Sequence, residues 1–310
     1  MRVRAILNPR AGLRARRAVH ALEDAPSSWS IELTTTRGPS HAQELAHEAA
    51  ARGDDLVLAV GGDGTINEVA AGILGSRAAL GVLPAGSGNG LARTLGIPLD
   101  PRRALARLAS GVRRRMDVGR INGQVFLNVA GTGFDATIAA AFHDWGLSGG
   151  RRGILPYVWL AMGEVRRIRP DVRTLQVDTL TVEMPMLLAA FANGRQYGGG
   201  AIIAPAARID DGRIDVVVIE ACPMIRAWLS APRLFLGTIA GFRHYRHWQV
   251  SSATLVAAAP HVHHRDGEPG GEAVRFEVVV EPGALEVLVP RETVADPNGP
   301  FVSAPPESAA

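Results

Sequence analysis

The stretch GGDGTINEVAAG, residues 61–72, follows directly on the apolar run Leu56 to Val60 and resumes an amphipathic pattern at Ile66. A continuous apolar run of that kind suits a parallel strand covered on both faces. Three glycines around one aspartate then mark its exit. Glycine allows positive φ and lets a ligand approach the backbone, and the following helix aims unpaired N–H groups at it, which suits a phosphate. In α/β sheets, ligands sit outside the carboxyl ends of the strands. A second loop of the same kind, Pro84-Ala85-Gly86-Ser87-Gly88-Asn89-Gly90, closes the strand pattern ALGVLPAG at 79–86. Two such loops at neighbouring strand ends can hold one polyphosphate from both sides. Asp63 would repel phosphates unless a cation lies between them, and Mg2+ takes one or two carboxylates together with phosphate oxygens and water. These residues read as a site for a magnesium nucleotide, with a tight turn capped by Asp63 as the alternative.

Around the loops, the first 120 residues alternate strand and helix signals. VRAILN (3–8) and WSIELTT (29–35) read as strands; 11–22, 40–51, 66–74 and 101–110 read as helices, with Ser40 as an N-cap and Gln43 completing a capping box. Strands separated by helices of this length imply right-handed βαβ units in a layered α/β domain. After Asp117 the grammar changes. Runs at 120–133, 174–184, 186–193, 212–220, 249–258, 274–280 and 284–290 are β-rich and punctuated by NG, GGG, DDG and PGG. They predict a mostly antiparallel β domain, a sandwich or flattened barrel, interrupted by helical segments at 153–168 and 223–243. The expected organisation is an α/β nucleotide-binding domain over 1–120, a β-rich domain over 121–290 and a disordered tail over 291–310.

Composition removes several functions. Every cationic residue among the 33 is arginine. Without lysine there is neither a Walker A loop nor a protein-kinase β3 lysine. Cys222 is the single cysteine, so an intrachain disulfide and a multi-thiolate metal site are excluded. No run of eighteen uncharged apolar residues occurs and MRVRAILNP reads as a strand, so neither a transmembrane segment nor a signal peptide is expected, and the chain is expected in the cytoplasm. The net charge of +3 is mild, and arginines cluster at 14, 16 and 17, at 113–115, and at 151 and 152, as solvated surface or as attraction for anionic lipid or nucleotide phosphate. Aromatics make up 5% with no stacking platform for bases, which argues against nucleic acid.

NPRAG (8–12), GGDGTINEV (61–69) and LPAGSGNGLAR (83–93) resemble the three N-terminal signatures of the diacylglycerol kinase catalytic domain family, which includes soluble bacterial lipid kinases and sphingosine kinases. FLNVAGTGFDA (126–136), NGRQYGGGAIIAPAARIDDGRIDVVVI (193–219) and RDGEP (265–269) are similar to that family's β-domain motifs in order and spacing. The resemblance covers residues 1–290. It implies an ATP- and Mg2+-dependent kinase acting on a hydroxyl of a lipid, such as diacylglycerol or a sphingoid base, with transient association at a membrane surface; a homodimer is left open.

The same resemblance assigns residues. Nucleotide contacts fall on Asn8, Thr34, Gly61, Gly62, Asp63, Gly64, Thr65, Ile66, Asn67, Glu68, Gly86, Ser87 and Asn89. Glu268 becomes the proton acceptor, with Asp63 in the catalytic machinery. A structural Mg2+ site is implied at Asp211, with the carbonyls of Arg208 and Arg213, and a lipid-headgroup contact at Asp135. Phosphoryl transfer asks mainly for alignment, charge neutralisation and a base near the attacking hydroxyl, which these roles supply. A plain hairpin turn at Asp-Gly-Glu-Pro and a plain Asp-Gly turn at Asp211 remain alternatives. One departure stands out: many bacterial relatives carry Thr and an Asn-Asp pair in the second loop, where this chain has Ser87, Asn89 and Gly90.

Histidines 244, 247, 261, 263 and 264 suggest a metal, with His261 and His263 on one strand face, but acidic or cysteine partners are not evident. Segment 223–243 combines Trp228, Leu229, Leu234, Phe235, Leu236 and Phe242 with arginines; it reads as core packing or as a helix leaning on a membrane. An NAD kinase shares the G-G-D-G-T loop, and a non-catalytic nucleotide or lipid sensor would share the scaffold. The later motifs argue against the first, and intact Asp63, Asp211 and Glu268 against the second.

Overall fold

The computed structural model describes residues 1–147, 163 and 170–302. Arg151, Arg152, the expected helix over 153–168 (except 163) and residues 303–310 of the expected tail lie outside the described residues.

The apolar runs make the parallel sheet anticipated for the first half. β1 (Arg2–Leu7) lies between β2 (Ser30–Thr35) and β3 (Leu56–Gly61), and β3 pairs in parallel with β4 (Ala79–Pro84). All residues of β3 and β4 are buried, as expected for strands covered on both faces. Helix α1 (Gly12–Leu22) pairs with α5 (Pro101–Ala109), and α2 (His41–Ala51) with α3 (Asp63–Ile73). A short α4 (Gly90–Thr94) leaves the second glycine loop.

Two helix starts differ from expectation. α3 begins at Asp63, three residues earlier than the apolar pattern suggested, because Gly62 serves as its N-cap and its carbonyl accepts the Ile66 N–H at 3.0 Å. The first loop therefore shrinks to Gly61-Gly62. The capping box expected at Ser40 does not form: Ser40 has φ 64° and makes no side-chain cap. Instead the Ser40 and Ala42 N–H groups donate to the two carboxylate oxygens of Glu68, at 2.9 and 3.1 Å. A carboxylate on α3 thus caps α2, which suits the positive end of a helix.

The second half is mostly antiparallel. β5 (Val112–Ile121), β6 (Gln124–Phe126), β7 (Val129–Gly133), β8 (Asp171–Val177), β9 (Leu180–Ala192), β10 (Ile214–Glu220), β11 (Tyr245–Val250), β12 (Ser252–Arg265) and β13 (Glu268–Val289) pair around cores that contain Phe126, Phe191 and Phe276. The runs at 274–280 and 284–290 are one strand, β13, bulged between Glu281 and Leu285. That strand begins at the β12 hairpin and ends beside β4, where Val287 pairs in parallel with Leu80, so a single strand carries the β half onto the α/β sheet.

Three further elements differ from the sequence reading. A helix, α6 (Phe134–Leu147), follows β7 directly. The helical segment at 223–243 splits into α7 (Met224–Ser230), α8 (Pro232–Phe235) and a 3-10 turn. The expected tail starts ordered: α9 (Arg291–Ala295) is followed by a buried Phe301, and the Thr293 hydroxyl donates to the Leu95 carbonyl at 2.9 Å.

Candidate active site

The two glycine loops touch. A methyl group on Gly86 would lie 2.6 Å from the Gly62 Cα, and one on Gly61 would lie 2.6 Å from the Thr65 side chain. None of Gly61, Gly62 and Gly64 has positive φ. The expectation that they supply left-handed backbone is therefore replaced by a steric reason: each lets another backbone or side chain pass close. Asp63 joins the loops from within the first turn of α3. Its Oδ1 accepts the Gly90 N–H at 2.7 Å, at the start of α4. Burial, followed by the charge of Asp266, pushes its carboxyl up to about 6, against the opposing pull of the Gly90, Asn89 and Leu91 amides. Asp63 caps a helix as the alternative reading allowed, but the helix is α4, on the neighbouring loop.

Asn89 closes the second loop on itself. It is left-handed and buried; its Oδ1 accepts from Gly86 N and its Nδ2 donates to Gly86 O, both at 2.9 Å. Arg14 donates to the Gly86 carbonyl and Arg93 to the Gly88 carbonyl, so two guanidinium groups brace the loop. Ser87 is exposed at its tip. At position 90 a side chain would meet the Tyr197 carbonyl at 2.2 Å and the Asn128 amide at 2.8 Å. The carboxylate that many relatives carry there has no room in this chain.

The hairpin between β12 and β13 brings in the third component. Asp266 and Gly267 form its two-residue turn with φ 50° and 84°, as a type I′ turn requires. The Asp266 carboxylate accepts the main-chain N–H groups of Leu127, Asn128 and Val129 at 2.7–2.9 Å and the Asn67 amide at 2.9 Å. These four bonds seat the turn on both halves of the molecule. Glu268 follows, and its Oε1 would lie 3.0 Å from a methyl group on Gly64, placing the carboxylate over the first turn of α3.

Several expected nucleotide residues are committed elsewhere. Glu68 caps α2, and Asn67 is bonded to Asp266. Ile66 is fully buried, and its N–H is spent on Gly62. The Thr65 hydroxyl accepts from Asn8 Nδ2 at 2.9 Å, and the Thr34 hydroxyl accepts from Arg4 at 3.4 Å. These side chains build the site's frame.

Asp135, expected at the lipid headgroup, is 7% exposed with both oxygens engaged. Oδ1 accepts the Ala136 N–H; Oδ2 accepts the Tyr197 hydroxyl at 2.9 Å and lies 3.2 Å from His264 Nε2. The Gly267 N–H reaches His264 Nδ1 at 3.4 Å, so Asp135 backs the turn that carries Glu268.

Asp211 lies on a separate open groove of about 700 Å3 with Arg113, Arg114, Arg115, Asp117 and Asp210. Its Oδ1 accepts the Arg213 N–H at 2.9 Å. Burial first, then the charges of Asp215, Asp117 and Asp210, push its carboxyl up to about 6. Asp117 is buried and ties β5 to two turns through the Gly212 and Gly283 N–H groups, at 2.6 and 2.7 Å. Among the described residues no group of three His, Cys, Asp or Glu side chains converges as a metal site. Asp211 offers a single carboxylate whose charged form is disfavoured by burial and by neighbouring acids, a condition that a bound hard cation would relieve. The same holds for Asp63, whose ionised form is disfavoured by burial and Asp266. His261 is bonded to Asp171 at 2.9 Å and contacts Arg173, while His263 packs on Phe276.

Sequence reasoning gave no role to Asp117, Tyr197, Asp266 or Arg93, read His264 only as a metal candidate, and read Arg14 only as part of an arginine cluster. Asp266 had a local signal in the Asp-Gly pair of a hairpin turn.

Residues 2–121 match the family model described as the diacylglycerol kinase catalytic domain, and residues 128–289 match the YegS C-terminal NAD kinase beta sandwich-like domain. A Pseudomonas aeruginosa protein named "Probable lipid kinase YegS-like" is 32% identical over 289 residues, covering 89% of each chain. A Bacillus subtilis "Diacylglycerol kinase" is 30% identical over 299 residues, covering 94% of this chain and 97% of that protein. The fold also matches the crystal structure of a diacylglycerol kinase from Bacillus anthracis, with a TM-score of 0.70 at 20% identity over 94% of this chain and 97% of that one.

Proposed function

This chain belongs to the diacylglycerol kinase family of lipid kinases, and from that premise we propose that it moves the terminal phosphate of ATP, with Mg2+, to a hydroxyl of a lipid such as diacylglycerol or a sphingoid base. The observation that carries the reading is the placement of Glu268 over the first turn of α3, beside the contact of the two glycine loops. A helix start offers N–H groups to phosphate, and a carboxylate beside it is where an attacking hydroxyl needs a base.

On this reading residues 1–120 hold the nucleotide and 121–290 present the lipid. The α3 N-terminus and the Gly61-Gly62 and Gly86–Gly88 backbones receive the phosphates, with Ser87 at the loop tip. Asp63 would hold the nucleotide's Mg2+, and Asp211, with the carbonyls of Arg208 and Arg213, a second, structural ion. Bound Mg2+ supplies neutralisation of phosphate charge. Glu268 takes the proton of the lipid hydroxyl. Asp266 and Asn67 fix the turn that carries it, and Asp135 acts as a positioning residue through His264 and Gly267. Among the described residues no helix is long and apolar enough to cross a membrane; we place the protein in the cytoplasm, visiting a lipid surface.

Radiolabelled ATP incubated with diacylglycerols, monoacylglycerols, sphingoid bases and NAD tests the proposal. Label in a lipid supports it. Label in NAD alone would make the chain a soluble-substrate kinase, and nucleotide binding with no transfer would make it a sensor.

A further inference from the structure

The segment around α7 and α8 presents apolar side chains to solvent. Ile225 is 66% exposed, Leu229 73%, Phe235 50% and Leu236 73%. Ile225 and Leu229 stand four residues apart, on one face of α7. The opposite side is anchored: Ser230 is buried, and Leu234 packs with Ile203 and Tyr197 against the β core. The outward display is thus a property of folded, packed helices. A cluster of exposed apolar residues on a soluble fold marks a contact surface.

Two observations select the occupant. The first is charge. Between Glu220 and Asp266 the chain carries no Asp or Glu, while Arg226 and Arg233 are exposed beside the apolar residues. Apolar tips fringed by arginines match a bilayer with anionic headgroups, where the tips enter the acyl boundary and the guanidinium groups meet phosphate. The second is position. The Ile202 N–H donates to the Leu234 carbonyl at 2.9 Å, and a few residues earlier the Gly199 N–H donates to the Gly88 carbonyl at 3.2 Å. One short loop therefore joins this face to the second glycine loop and the Asp63 site.

We propose that α7 and α8 form the face by which this protein docks on an anionic lipid surface, bringing the Gly198–Gly200 loop and the adjoining active site to the bilayer. The assignment rests on the lipid-kinase reading for its purpose. Its test does not need catalysis.

The full chain is sedimented without nucleotide against vesicles of phosphatidylcholine alone and of phosphatidylcholine with phosphatidylglycerol. Wild type should bind the anionic vesicles more strongly. Leu229→Ser with Leu236→Ser should weaken that binding at least about tenfold with unchanged circular dichroism. Arg226→Ser with Arg233→Ser, which leaves the apolar tips in place should the first variant misfold, should cost about fivefold per arginine and remove most of the salt dependence. Neither pair should slow transfer to a dispersed short-chain acceptor, whereas transfer to acceptor embedded in vesicles should fall. Equal vesicle binding by wild type and the folded variants would overturn the proposal. So would absence of wild-type binding, or a change from dimer to monomer on gel filtration with binding intact, which would make the face a self-association surface. A chain that docks as described but phosphorylates no lipid would sink the kinase reading and leave the docking face standing.

Discussion

Asp63 and Asp211 are two acids with the same displacement and different surroundings. Burial pushes both carboxyls up to about 6. Around Asp63 the compensation is main chain: the Gly90 amide at the start of α4 holds one oxygen, and the charge of Asp266 adds to burial in raising the carboxyl. Around Asp211 the company is acidic, with Asp215, Asp117 and Asp210 all raising it and one amide, from Arg213, opposing them. The first arrangement orients a carboxylate at a defined point between two loops. The second disfavours negative charge in a groove without aiming it. On this account Asp63 serves turnover and Asp211 serves the fold, each through a cation.

The largest effect should separate them. Asp63→Asn keeps an oxygen for the Gly90 N–H, so the loops stay joined while the charge is lost; phosphate transfer should drop at least about a thousandfold. Asp211→Asn at saturating Mg2+ should stay within about tenfold of wild type. Comparable losses in steady-state assays of the two variants would erase the distinction.

Next in size is Asp266, the acid that faces Asp63. Asp266→Ala strands three main-chain N–H groups and the Asn67 amide. Each stranded buried donor costs about 1–3 kcal/mol, partly relieved by water, so thermal or urea unfolding should show a loss of about 3 kcal/mol. A loss below about 1 kcal/mol would mean that the turn is held by other contacts.

The smallest effect is the pH dependence of Asp211. Its folded pKa of about 6 lies above the ordinary 3.8, so between those values the folded state binds more protons than the unfolded one. Stability contributed by this group is therefore full below pH 4 and is lost as pH rises to about 6. In EDTA, Asp211→Asn should match wild type near pH 4 and exceed it near pH 7 by about 1 kcal/mol, a figure reduced for solvent screening of a half-exposed group. Saturating Mg2+ should close the gap at pH 7. Urea unfolding at the two pH values checks this, and a gap of opposite sign would show that no acid crowding acts there.

The comparison also shows which parts of the site were visible in the chain. The strand runs and glycine loops were readable because their causes are local: an apolar run of five residues, then residues without Cβ where backbones converge. The Asp-Gly pair marked the hairpin turn, whereas Glu268 was singled out only through the resemblance of RDGEP to a family motif. What escaped were bonds between distant partners. Asn67 and Asp266 are 199 residues apart, and Asp117 meets amides 95 and 166 residues further on. Any non-proline residue supplies a main-chain N–H, so such acceptors leave no trace in residue type. Glu68 misled for the same reason, since its two partners are the amides of Ser40 and Ala42 on another helix. The start of α3 was misplaced because Asp63, Gly64 and Thr65 are poor interior helix formers whose helical geometry follows from Gly62 as N-cap.

The central claim is that Glu268, set over the first turn of α3, takes the proton as ATP's terminal phosphate passes to a lipid hydroxyl. Single-turnover transfer from labelled ATP to a short-chain diacylglycerol or sphingoid base, whichever accepts label from wild type, compares wild type with Glu268→Gln, with ATP affinity measured on the same samples. The account predicts a rate about a hundredfold to ten-thousandfold lower in the variant with ATP affinity within about threefold. Equal rates, or a loss explained wholly by weaker ATP binding, would contradict it.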